Sequence, residues 1–313
     1  MGNAPEHIPV LLGPAIEALR IHPGGVYVDA TAGLGGHSEA IARQLQGGRL
    51  ISLDRDPAAV AKARARLAPY PSALVVQSNY GLMAEALDVL GVDLVDGILL
   101  DAGVSSMQLD TADRGFSFQG DGPLDMRMDT TEARDAATLL ADASAAELAA
   151  VLRTFGDVNQ AGRIASAIVR RREAGQLART SDLVAAVKEA LPFVNGVPEE
   201  VRTVFQAVRM AVNRELHWLE AGLRQGIERL RPGARYVVIS FHSGEDRVVK
   251  DIFREASRPV RTLYPDGRTK EERPPRLRVI TPKPVQADAA ETAANPRAKS
   301  ARMRVAERTE GDD

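Results

Sequence analysis

The sequence contains no cysteine, which excludes disulfides, cysteine-ligated zinc and thiol nucleophiles together. Aromatic residues are scarce, 4% of the 313 residues with a single tryptophan, so any exposed aromatic calls for an explanation. Neither sign of charge dominates: 40 basic and 42 acidic residues leave a net of −2, and no global field draws in nucleic acid. No apolar run approaches the roughly 18 residues that span a bilayer. Glu6 and His7 ahead of Ile8-Pro9-Val10-Leu11-Leu12 do not make the basic start and long apolar core of a signal peptide. The expectation is a cytoplasmic protein with no membrane partner and no metal.

What is present is ample hydrophobic material, 44% of the chain, enough for a sizeable core. Charge is uneven along it. Residues 110–147 carry nine acidic and three basic residues, whereas 247–283 carry eleven basic and five acidic. Each run is equally readable as a solvated face.

Short β-branched runs at Val26–Asp29, Leu50–Leu53, Ala73–Val76 and Ile98–Leu100 alternate with alanine-rich helical patterns at Ser38–Leu45 and Pro57–Leu67. That alternation predicts an α/β fold with one half of a doubly wound parallel sheet. From about 116 to 204 only helical patterns follow, including Ala145–Thr154, Ala161–Glu173 and Ser181–Ala190. A single amphipathic helix is then expected from Phe205 through Val208, Val212, Leu216, Leu219, Leu223 and Ile227 to Leu230, ended by Pro232-Gly233. Tyr236–Phe241 reads as a fifth strand, Leu277–Ile280 and Met303–Ala306 as a closing pair, and Ala287–Pro296 as an exposed loop. The division expected is 1–115 plus 205–313 for the α/β domain and 116–204 for an all-helical insert.

The first strand ends in Asp29-Ala30-Thr31-Ala32-Gly33-Leu34-Gly35-Gly36-His37. Glycines at a strand-to-helix turn let the backbone approach a ligand, although a tight turn alone can account for them. Asp54 closes the second strand 21 residues after Gly33, where a carboxylate can take both hydroxyls of an adenosine ribose. A nicotinamide dinucleotide and S-adenosylmethionine share that ribose site. Asp29 separates them, because a carboxylate at the loop repels a pyrophosphate and attracts an ammonium. The Gly33-Leu34-Gly35-Gly36 spacing also departs from the dinucleotide pattern. Asp101, at the end of the fourth strand before Ala102-Gly103-Val104-Ser105-Ser106, faces the same crevice unless it is only a helix cap.

Several segments, taken in order, resemble the ribosomal RNA small subunit methyltransferase H family, also called MraW. They are His7–Leu12, Asp29–Ser38, Leu53–Pro57, Asp96–Gln108, Arg114–Phe118, Asp121–Met128, Phe205–Arg209 and Ile239–Ser243. The resemblance implies a Rossmann-like class I methyltransferase sheet with a helical insert for RNA recognition. It also implies S-adenosylmethionine as cofactor and a cytosine in the decoding region of 16S ribosomal RNA as target, within the small ribosomal subunit. The cofactor contacts it implies are Gly35, Gly36, His37, Asp54, Tyr80, Asp101 and Gln108, beside Asp29 and Gly33 read from the residues themselves. Two positions depart from the family pattern: Gly244 stands where a leucine is usual and Thr203 where a basic residue is usual.

Methylation of cytosine at C5 needs a cysteine to activate the ring, so N4 is the expected target. The N4 lone pair is delocalised into the ring, and a carboxylate accepting an N4 hydrogen bond would localise it; Asp101 is the catalytic candidate. A base turned out of its stack needs a platform. Tyr80, Phe116 and Phe118 beside Arg114 and Arg127 are candidates, though a phenylalanine is as readily core. Phosphate contacts are expected from Arg163, Arg170, Arg171 and Arg172 of the insert and from the basic C-terminal third. His242 is either a further polar group of the pocket or a hydrogen-bonded strand-end histidine. The alternatives are a non-catalytic ribosome-assembly factor with the same fold and an NAD-dependent oxidoreductase.

Overall fold

Period-two burial explains the sheet. In a computed structural model describing residues 9–264 and 268–310, Tyr27, Leu50, Leu99 and Val237 pack into one hydrophobic layer. Their chain neighbours Val28, Ile51, Ile98 and Val238 pack into the layer on the opposite face. Alternate residues of a strand point to opposite faces, so runs apolar at every position make strands covered on both sides. Of the segment His7–Leu12, His7 and Ile8 lie outside the described residues.

The chain divides by its contacts into two units, residues 1–103 with 216–313, and residues 104–215. Residues 104–115 and 205–215, read from sequence as part of the α/β domain, thus fall in the second unit. The first unit runs α1 Leu12–Leu19, β1 Val26–Asp29, α2 Gly36–Ala42, β2 Arg49–Asp54, α3 Pro57–Leu67, β3 Ala73–Gln77, α4 Met83–Val89 and β4 Val95–Asp101. The second holds α5 Ser106–Asp110, α6 Ala136–Asp142, α7 Ala145–Gly156, α8 Ala161–Glu173, α9 Thr180–Ala190 and α10 Glu200–Asn213. The chain then passes through α11 Glu215–Arg229 into β5 Leu230–Ser240, α12 Ser243–Ala256, β6 Val260–Leu263, β7 Thr269–Arg273, β8 Leu277–Val279, α13 Ala289–Ala294 and β9 Arg302–Arg308.

Seven strands form one sheet in the order β3-β2-β1-β4-β5-β9-β8. The first five are parallel, and β9 and β8 add antiparallel at one edge. Strand order reverses between β1 and β4. The crevice outside their carboxyl ends is therefore the topological switch point, flanked by Asp29 and Asp101. β6 and β7 pair as a separate two-stranded sheet that the sequence did not announce, because β6 is only four residues long and β7 is largely charged. Among the described residues no helix is long and apolar enough to cross a membrane.

The continuous helix expected from Phe205 to Leu230 is two helices. Arg214 interrupts it with φ 49°, in the left-handed region. Both halves are amphipathic, so the periodicity runs through the break, but they bury different stripes. Phe205, Val208 and Val212 join the core of the helical unit, while Leu219, Leu223, Ile227 and Leu230 cover one face of the sheet. Side chains at the break explain it: buried Asn213 donates through Nδ2 to the carbonyls of Met126 (2.7 Å) and Arg209 (2.8 Å) and accepts at Oδ1 from the Met128 N–H (2.7 Å). Arg209 grips Glu215 through two hydrogen bonds of 2.8 and 2.9 Å. Pro232-Gly233 does not end the helix; it lies in the irregular start of β5, where Leu230 already pairs with Val95. The expected loop 287–296 contains the short helix α13, N-capped by Asp288 and without a buried residue, so its alanines serve propensity rather than packing.

Truncating Asn213 leaves a buried carbonyl and a buried N–H near Met126 without partners. Asn213→Ala is expected to cost about 2 to 4 kcal/mol, by the range for unsatisfied buried groups, read as a lower urea midpoint by circular dichroism. An unchanged midpoint would show that the 126–128 loop is held by other means.

Candidate active site

Three carboxylates end neighbouring strands at the carboxyl edge of the sheet: Asp29 on β1, Asp54 on β2 and Asp101 on β4. Their environments differ. Asp29 is 0% exposed. Its Oδ2 accepts from the Ser38 hydroxyl at 2.5 Å and its Oδ1 from the Thr31 N–H at 3.2 Å. Ser52 in turn donates to Ser38 at 2.9 Å. Each oxygen thus accepts a hydrogen bond from the glycine loop or the helix behind it, and Asp29 braces the loop.

Asp54 and the loop are joined directly: Asp54 Oδ2 accepts from the Gly33 N–H at 2.8 Å and Oδ1 from the Asp56 N–H at 2.9 Å. Each carboxylate oxygen has a second lone pair left for a ligand hydroxyl. Gly33 and Gly35 hold φ of 52° and 80°, in the left-handed region, which lets the loop turn. Gly36 has a different reason: a Cβ there would lie 2.3 Å from Pro9 Cγ.

Asp101 is the least satisfied of the three. Its N–H donates to Thr31 Oγ1 at 2.7 Å, which ties β4 to the loop after β1. Its carboxylate Oδ2 lies 3.8 Å from His37 Nδ1, and its buried Oδ1 has no hydrogen-bond partner. His37, itself buried, approaches the Val10 carbonyl through Nε2 at 3.1 Å. Burial pushes Asp101 well above its ordinary carboxylate value, and the charges of Asp29 and Glu245 push it further. Burial likewise carries Asp29 and Asp54 from 3.8 to about 6, against the opposing hydrogen bonds from Ser38, Thr31, Asp56 and Gly33. The rim therefore concentrates negative charge that water does not compensate.

Further along the rim, His242 caps α12 by accepting the Glu245 N–H at Nδ1 (3.3 Å), with Nε2 3.2 Å from Glu245 Oε1. Buried Glu245 also accepts from the Phe241 N–H at 2.8 Å. A Cβ at Gly244 would come within 3.2 Å of the His242 ring, so the glycine at this position gives the ring its room. Tyr80 opens a turn after β3, held where Ser78 N–H donates to the Asp54 carbonyl at 2.9 Å, and its ring fills the space a side chain at Gly222 would take. Sequence reading missed Thr31, Ser38 and Glu245, which hold the rim in place. Ser38 directly follows the glycine loop and Glu245 follows the His242-Ser243 pair; that adjacency was the available signal.

The remaining candidates belong to the helical unit, where most are engaged locally. Gln108 is buried in the capping box of α5, its Oε1 accepting from Ser105 N–H at 3.0 Å. Arg114 donates to the carbonyls of Arg127 and Met128 at 2.8 and 3.1 Å, with its guanidinium 5.7 Å from the Phe116 ring centre. Phe116 is core, whereas Phe118 is 37% exposed and packs edge-on to Phe205. Arg127 forks onto Asp125 at 2.7 and 2.9 Å and reaches the carbonyls of Thr130 and Glu132. Arg170 pairs with Glu189 at 2.8 Å; Arg171 lies 3.8 Å from Asp182 and 3.9 Å from Glu189. Arg172 donates to three carbonyls at the end of α6, those of Leu140, Ala141 and Ala143. These arginines fasten the helices together, and Arg163 stacks on exposed Phe193 at 5.7 Å.

Residues 4–309 match the family described as the MraW methylase family. A protein from Aromatoleum aromaticum named ribosomal RNA small subunit methyltransferase H is 49% identical, over 99% of both chains. Proteins of the same name from Azoarcus sp. strain BH72 and Geotalea uraniireducens are 47% and 46% identical, covering 97% of this chain and 97% and 98% of their own.

Asp101 offers a test that needs no ligand. Its raised value means that, above the usual 3.8, the folded chain holds a proton the unfolded chain has released. Stability is therefore lost as pH rises through that window. Asp101→Asn removes the buried charge, so it is expected to raise the thermal midpoint of the ligand-free protein at pH 8 and to leave it near wild type at about pH 4.5. A midpoint at pH 8 equal to or below wild type would mean that Asp101 is not held against its charge.

Proposed function

The chain belongs to the MraW methylase family, and from that premise we propose that it transfers a methyl group from S-adenosylmethionine to N4 of a cytosine in the decoding region of 16S ribosomal RNA. The observation that carries this reading is the buried, unpartnered Oδ1 of Asp101 at the switch point of the sheet. An unsatisfied buried acceptor costs free energy, and it persists where a ligand supplies the donor.

The residues fit the cofactor. Asp54, held by Gly33 and Asp56, has lone pairs for the ribose hydroxyls, and Gly35, Gly36 and His37 form the start of a helix against which the amino-acid part can lie. Tyr80, anchored beside Asp54, borders the same end of the sheet. Asp29 contributes its charge and the shape of the loop. S-adenosylmethionine supplies an electrophilic methyl on a positively charged sulfur, which an anionic rim favours over a pyrophosphate.

Asp101 accepts a hydrogen bond from the cytosine amino group, so the N4 lone pair is less committed to the ring as it attacks. As the new carbon–nitrogen bond forms and the carbon–sulfur bond breaks, N4 becomes positive, and Asp101 stabilises that charge and receives the proton N4 gives up. A carboxyl held above its usual value is a better proton acceptor than an exposed one. The absence of cysteine closes the covalent route to C5. Holding both substrates at one rim supplies much of the remaining rate, roughly 7 to 11 kcal/mol in well-oriented systems.

The two carboxylates have separate tasks and should separate kinetically. Asp54→Ala is expected to weaken S-adenosylmethionine binding by about 1.5 to 3 kcal/mol while most of the rate returns at saturation. Asp101→Asn is expected to lower the single-turnover rate about 100-fold at saturating cofactor and RNA, with much smaller effects on binding. Tritium transfer to small-subunit particles, with calorimetric cofactor affinities, checks both; a normal saturated rate for Asp101→Asn removes it from catalysis.

A further inference from the structure

β6 and β7 form a hairpin that stands apart from the seven-stranded sheet. A two-stranded hairpin is marginal alone in water and is normally covered on one face. Here none of the described residues from 257 to 276 belongs to a hydrophobic core of the protein, and all five residues of β7 are exposed. Val260 is 59% and Tyr264 46% exposed, in a chain with few aromatics to spare.

The surroundings of Tyr264 are cationic. The Arg268 guanidinium carbon lies 5.8 Å and Lys270 Nζ 5.9 Å from its ring centre, and its N–H donates to the Arg268 carbonyl at 2.8 Å. Residues 258–276 contain six basic and three acidic side chains. Two of those acids are taken within the hairpin, Glu272 by Arg261 at 3.1 Å and Glu271 by Arg273 at 2.8 Å. Arg258 and the two cations beside the tyrosine, Arg268 and Lys270, are exposed.

Resting on the function proposed above, we infer that this hairpin is a docking element for single-stranded RNA, with Tyr264 as a stacking platform and Arg258, Arg268 and Lys270 as phosphate contacts. An aromatic face bordered by cations is complementary to a base and its backbone whatever the sequence, because every base has a π face and every nucleotide a phosphate. The element is remote from the chemistry. His242, at the rim, begins α12, whose 14 residues return about 21 Å along the sheet. The hairpin leaves after Ala256, whose carbonyl accepts the Arg276 N–H at 2.9 Å, and β8 then starts opposite the amino end of β5. It anchors RNA at the far end of the sheet from the reacting base, so it serves affinity and not rate.

The test uses the full chain with a decoding-region transcript of 16S ribosomal RNA and, separately, oligouridylate, over a range of KCl. Tyr264→Ala is expected to weaken binding of both about tenfold or more, and Tyr264→Phe, which keeps the platform, to stay within about twofold of wild type. Replacing Arg258, Arg268 and Lys270 together by alanine should reduce the slope of log affinity against log salt by about 2 to 3. The single-turnover rate at saturating RNA and the affinity for S-adenosylmethionine should be unchanged. Unchanged RNA affinity and salt slope in variants of a wild type that binds RNA would overturn the inference. So would a change confined to self-association in sedimentation. Hairpin-dependent RNA binding by a wild type that methylates no ribosomal RNA would leave the inference standing and remove the proposed function.

Discussion

Uncompensated negative charge at the carboxyl edge of a parallel sheet is the constraint on which the site depends. Parallel strands must be buried on both faces, so the residues that end them leave the core only at the rim, and three of the central strands end there in aspartate. Among the described residues neither Asp29 nor Asp54 has an arginine or lysine ion pair; backbone N–H groups and serine hydroxyls hold them. Such bonds orient a carboxylate without neutralising it. Burial then raises all three, and mutual repulsion adds to it for Asp54 and Asp101. A site in this condition favours a cationic ligand, and it favours the charged sulfonium donor over a product that has lost that charge.

The same economy of side chains organises the helical unit. Motif residues that from sequence resemble recognition elements are largely fasteners there: Arg114 and Arg127 close their own loop, Asn213 clamps residues 126 and 128, and Arg172 caps a neighbouring helix. Met126 sits at φ 57° and fully buried within that clamp, which accounts for the weight of contacts around it. These motifs therefore mark loops that must be held, while exposed aromatic rings beside cations occur both at Phe193 with Arg163 and on the hairpin after α12.

The sheet was legible because β-branched runs bounded by turns carry their own period: the ranges read for β1 to β4, α3, α8 and the closing pair agree with the observed elements within a few residues. The break at Arg214 was not legible, because two amphipathic helices in phase produce one continuous stripe, and only the tertiary contacts of Asn213 reveal the stop. The hairpin was hidden for the opposite reason, since exposed charged strands have no hydrophobic alternation. At the site, Gly33 and Asp54, 21 residues apart, are hydrogen-bonded. Spacing could not tell that Asp29 turns inward to Ser38 while Asp101 keeps an oxygen free of partners, because both are aspartates ending strands.

A cationic donor should favour the charged form of rim carboxylates whose proton affinity burial has raised. Calorimetric titration of the ligand-free protein at about pH 6.5, repeated in buffers of different ionisation enthalpy, measures protons exchanged on binding. S-adenosylmethionine is expected to release protons and S-adenosylhomocysteine, which lacks the sulfonium charge, to release fewer, with the difference reduced in Asp101→Asn. Equal heats across buffers for both ligands would contradict it.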